Sequence, residues 1–146
     1  MASVATPFVE MLQLSSAGIS EGKSVLAEEH DLHGDASRPL LAYAYQAFVS
    51  GLIQLEACAK RYVATPECAG QTVVKPILSD PAFRAAAVEC ADGLEAAVPF
   101  LGIAGGRIAI TLRRLVETNH PAEARLLASQ CDAAARMAKM KAGRAA

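Results

Sequence analysis

Residues 28–35 read EEHDLHGD, which sets two histidines among four acids. At helical spacing His30 and His33 share a face, and Glu29 stands one turn before His33. Two imidazoles and a carboxylate form a donor set that zinc accepts, with a fourth ligand to come from another element. A diiron bundle would instead need Glu-x-x-His pairs in mid-helix. Here the residue three before His33 is His30, and the one three before His30 is Ala27. Gly34 also suits the position just past a helix terminus, where histidines of the last turn meet free carbonyls and the negative end of the dipole. The stretch therefore reads first as the end of a helix, and Glu29, His30 and His33 remain as the weak metal candidates.

A second candidate is LGIAGGRI, residues 101–108. The spacing of its glycines and flanking apolars resembles the loop of the nucleic-acid-binding KH family, which joins two helices and clamps a phosphate backbone. The resemblance covers these eight residues. It departs from the family at Ile103 and Ala104, where bases are usual, and no strand-like segments surround it. A helix start with glycine and arginine can also hold an anion, and Arg107, Arg113 and Arg114 lie nearby. A glycine-rich link between two helices is the plainer reading, so nucleic acid is not an expected partner.

Catalytic constellations are not evident. The chain has no G-x-S-x-G, no P-loop and no HExxH. His120 precedes Pro121 at an expected helix start, where it reads as a cap or surface residue. Glu67 beside Cys68 would raise a thiol's pKa and discourage a nucleophile. No enzyme activity, catalytic residue or cofactor is expected. Cysteines 58, 68, 90 and 131 form no CxxC pair and fit no zinc spacing. Two disulfides are one reading. Cys90 and Cys131 fall on apolar helical stripes, where a free thiol acts as a small hydrophobe, so reduced thiols and a cytoplasmic location are the expectation.

The elements that must position these residues are helical. Alanine occurs 31 times and tryptophan never, and alanine gives up no side-chain entropy on entering a helix. Thr6-Pro7 should open the first helix, with the stripe Phe8, Leu12, Ser15, Ile19, Gly22, Leu26. Its small middle invites close approach by another helix, or a kink near Gly18–Gly22. A second helix follows Asp35 or Ser37 as cap, with Leu41, Tyr45, Phe48, Leu52, Leu55, Ala59 and Tyr62 on one face. A longer connection holds a turn or extended piece near Val73–Leu78. A third helix starts at Ser79-Asp80-Pro81 and meets a stop or kink at Pro99. A fourth runs from about Gly106 to Asn119, and a fifth opens at His120-Pro121. Residues 1–5 and 141–146 should fray. Strand-like alternation and solenoid repeats are missing. The expected fold is a single-domain, all-α antiparallel bundle of about five helices.

Length, charge and hydropathy bound the function. A chain of 146 residues with 53% hydrophobic and 20% charged residues has the makings of one globular core. No apolar run nears the ~18 residues a membrane span needs. The opening MASVATPFVEML lacks a basic n-region, so no secretory signal is expected. Charge is uneven. Residues 1–35 hold six acids against Lys23, whereas residues 36–146 hold thirteen bases and nine acids. The last fifteen residues set Asp132 against Arg136, Lys139, Lys141 and Arg144, a basic helix end that also suits the dipole. A dimer joining the acidic end of one copy to the basic end of another is permitted.

Narrow alanine and glycine stripes bury little apolar area, so a bundle of this composition gains from covering one more face. The leading expectation is a non-enzymatic interaction or adaptor module that self-associates or binds a protein, through the fourth and fifth helices. The alternative is a carrier of a metal ion or of a small apolar ligand, with Tyr45, Phe48, Leu52 and Tyr62 as pocket candidates.

Overall fold

The computed structural model of this chain describes residues 5–33, 38–65, 77–118 and 120–145, the side chains of 29–33 excepted. Six helices follow one another: α1 (Thr6–His33), α2 (Arg38–Val63), α3 (Pro81–Ala96), the single turn α4 (Val98–Leu101), α5 (Ile103–Thr118) and α6 (Pro121–Ala145). The fold is an all-α bundle in one domain, as the apolar spacing predicts.

Local chemistry sets the starts. The Asp80 carboxylate accepts from the amides of Ala82 (2.8 Å) and Phe83 (3.2 Å), with Pro81 at the first helical position of α3. His120 opens α6 in the same way, its Nδ1 accepting from Ala122 N at 3.1 Å. Pro99 lacks the N–H that would reach Glu95 O, and its ring crowds that carbonyl. The helical run accordingly breaks at Ala97 and resumes as α4, so the proline ends α3. The expected caps Asp35 and Ser37 lie outside the described residues, as do 73–76 of the expected connection, while Ile77–Ser79 form a turn. At the other end α6 continues through 141–145, where fraying is the sequence expectation. Ala142 is buried there, and Lys141 Nζ lies 5.4 Å from the centre of the Tyr45 ring.

The main packing contacts close into a ring, α1–α2–α6–α5–α3 and back to α1. Neighbours run antiparallel at four of the five seams. Along α1–α2, for instance, Phe8 meets Cys58 while Gly22 meets Ala44. An odd ring cannot alternate throughout, and the remaining seam, α1–α3, is parallel: Thr6 lies near Asp80 and Ser15 meets Cys90.

Every stripe residue expected of the first helix is buried. Its small centre lets α1 and α2 touch backbone to backbone. A Cβ on Gly18 would sit 2.8 Å from Ala47 O, and one on Gly51 would sit 2.8 Å from Ser15 O. α1 stays one continuous helix through Gly18 and Gly22.

Candidate functional site

The sequence candidates separate in space. α1 ends at His33, so His30 and His33 stand in its last turn; their side chains and that of Glu29 lie outside the described residues. Among the described residues no group of three or more His, Cys, Asp or Glu side chains is placed to hold a metal ion. Of the pocket candidates, Phe48, Leu52 and Tyr62 are sealed in the core. Tyr45 is half-buried, meets the Phe48 ring edge-on at 5.7 Å, and lines a shallow groove of about 80 Å³ with Phe100, Leu101, Ala138 and Lys141. Partial burial raises its hydroxyl pKa.

The glycine-rich stretch has a packing role. Gly102 takes φ 75° at the end of α4, a left-handed conformation open to glycine, and its N–H donates to Val98 O at 2.7 Å. A Cβ on Gly105 would lie 3.1 Å from Leu94 O, so this glycine lets α5 approach α3. Arg113, which the sequence sets near this turn, is held by Asp92 and Glu95 across the same α3–α5 seam.

Three of the four thiols lie in the interior. Cys58 (α2), Cys90 (α3) and Cys131 (α6) are buried and unbridged; Cys68 lies outside the described residues. Burial pushes the Cys58 thiol up to about 12 and raises Cys131 as well, and the nearby Cys90 adds to both shifts. Burial also raises Cys90, against the lowering effect of its contact with Ser15 Oγ at 3.5 Å. A thiol kept neutral in this way is a poor nucleophile and a poor metal ligand. These residues are core.

What remains is a surface. Along the outside of α5 and α6 five large apolar side chains are exposed: Ile103 (71%), Ile110, Leu126, Met137 (59%) and Met140. By contrast α1 exposes Leu14, α2 exposes Tyr43 and Ile53, and α3 exposes Val88. Ile103 and Ile110 are seven apart, as are Leu126, Ala133 and Met140, so each set runs along one helical face. Between the helices lies a groove of about 230 Å³ lined by Ala104, Arg107, Gln130, Ala133, Ala134 and Met137. Among the described residues, Gln130 Oε1, buried there, has no hydrogen-bond partner. Ala104, Ala134 and Met137 also border the Tyr45 groove, which makes the two continuous.

The sequence points to these two helices as a docking face without naming the residues. In α6 the exposed apolar set Leu126, Met137, Met140 runs beside the buried set Leu127, Cys131, Ala134, Ala138. Periodicity alone reads this as one broad apolar stripe. Comparison with protein-family models, curated proteins and solved structures finds no match for this chain.

Proposed function

We propose that this chain is a non-enzymatic helical interaction module that self-associates through the α5–α6 face. The observation that supports this reading is the exposed apolar stripe from Ile103 to Ile110 and from Leu126 to Met140, set along an open groove. Apolar surface gathered on one face and interspersed with polar groups is what an interface offers before it is covered. Arginines 107, 114, 125 and 136 are exposed on the same two helices, and arginine is favoured at such contacts. The buried, unbridged thiols of Cys58, Cys90 and Cys131 accord with a cytoplasmic location, which belongs to the same proposal.

The carrier reading draws on one observation, the Tyr45 groove continuous with the α5–α6 groove. Both are small and open beside the ~300–1,000 Å³ pockets that engulf organic ligands, so the interaction module is preferred. Native mass spectrometry across a range of protein concentrations separates the two. A mass that rises by whole chains with concentration supports the module. A bare monomer at every concentration overturns it, and a constant small excess over the bare chain turns the assignment to a carrier.

A further inference from the structure

The α5–α6 face has a counterpart on the opposite side of the same molecule. In the ring of helices α1 contacts α2 and α3, while the α5–α6 seam closes the ring across from it. The outer face of α1 is the stripe Glu10, Leu14, Ala17, Glu21, Ser24, Glu28, all exposed and spaced 4-3-4-3-4. It is narrow and acidic, with one large apolar residue, Leu14, 56% exposed. Over its whole length α1 holds five acids against Lys23. Together α5 and α6 hold eight bases against Glu117, Glu123 and Asp132.

We infer that the occupant of the α5–α6 face is the outer face of α1 from a second copy of this chain, joined head to tail. This rests on the self-association proposed above. Three features agree. The charges are opposite, and complementary fields both steer encounter and fix register. The shapes suit each other, since a ridge with Ala17 and Ser24 between larger residues can enter a groove floored by Ala104, Ala133 and Ala134. Lengths correspond too: Glu21 to Glu28 and Arg107 to Arg114 are each seven residues, roughly 10 Å along a helix. Because the two faces lie on opposite sides, one copy engages two others. Such a heterologous contact builds a closed ring or an open chain and does not stop at a two-fold dimer.

Sedimentation velocity on the full chain tests this, using two double variants at exposed positions. L14R/A17R spoils the α1 face and I110E/M137E spoils the α5–α6 face; circular dichroism checks that each remains helical, and L14S or I110S replaces a variant that does not fold. Wild type should grow past a dimer as concentration rises, and should shrink at high salt. Each variant alone should sediment as a monomer, its association weakened on the order of a hundredfold. A one-to-one mixture of the two should form a capped heterodimer and nothing larger, since each supplies the face the other lacks. If L14R/A17R assembles as wild type does, or wild type stops at a dimer, the head-to-tail inference is overturned while self-association stands. A wild type that is monomeric throughout, even one that sediments with anionic vesicles, overturns both.

Discussion

The α1–α2 and α5–α6 seams are built from the same small-residue alphabet and end in opposite conditions. At α1–α2 small residues face each other, Gly18 against Ala47 and Gly51 and Gly22 against Ala44, with the Phe48 ring pressed on Gly22. The backbones close until no Cβ fits, and the seam is sealed. At α5–α6 alanine lines the groove while Ile103, Ile110, Met137 and Met140 stand out to solvent beside it. Small residues facing inward draw helices together; large ones turned outward leave surface for another chain. Composition is silent on which occurs. Register decides.

The largest effect that would break this contrast is a side chain in the sealed seam. Gly51→Leu should abolish the cooperative thermal melt, because the new atoms meet Ser15 O and Ile19 with no route of retreat. The milder Gly51→Ala should cost about 1–3 kcal/mol in urea unfolding, as overpacking does. At the open seam Met137→Glu should leave the melt nearly unchanged and weaken only the proposed self-association, which sedimentation would show. A melt equally sensitive to both substitutions would erase the distinction between the seams.

Next in size is an alkaline effect on the buried thiols. In the unfolded chain a thiol ionises near its ordinary value of 9.0, while burial holds the folded Cys58 up to about 12. Below pH 9 both states are protonated and the stabilisation is complete. Between 9 and 12 the unfolded state loses the proton first, so stability falls as pH rises, by up to about 1.4 kcal/mol per pH unit for each thiol. Urea unfolding followed from pH 8 to 10.5 should show the fall, and Cys58→Ala should reduce its slope. An unchanged slope would mean that Cys58 contributes nothing to it.

The smallest effect runs the other way. Gly93 lies in α3, and a methyl group added there would meet nothing within 4 Å. Gly93→Ala should therefore raise stability by about 0.5–1 kcal/mol through helix propensity alone, read as a higher urea midpoint. A loss there would show that α3 is more crowded than Gly93 indicates.

Much of the architecture was legible along the chain. Prolines mark the starts of α1, α3 and α6, and the side chains of Asp80 and His120 cap the latter two, because a missing N–H and an acceptor side chain act within one turn. The buried faces of α1 and α2 follow from spacing, since a helix repeats every ~3.6 residues wherever it lies. The functional candidates fared differently. Tyr45, Phe48, Leu52 and Tyr62 share a face in sequence, yet three are core and Tyr45 alone lines a groove. Periodicity places a residue on the inward side of its helix and leaves open whether a neighbour seals it.

By itself, then, the sequence determined the main helices, their proline-marked starts and the buried stripes of α1 and α2, all of which depend on interactions within a few residues. It missed the turn α4, the start of α5 at Ile103 where it expected about Gly106, and the intact end of α6. The tertiary structure alone decided the ring order of the helices and its one parallel seam. It also decided the burial of three thiols from α2, α3 and α6 in one core, and the opposition of the acidic α1 to the basic α5–α6 side. These depend on which faces meet across the bundle, and a repeat along one helix carries no information about its neighbour.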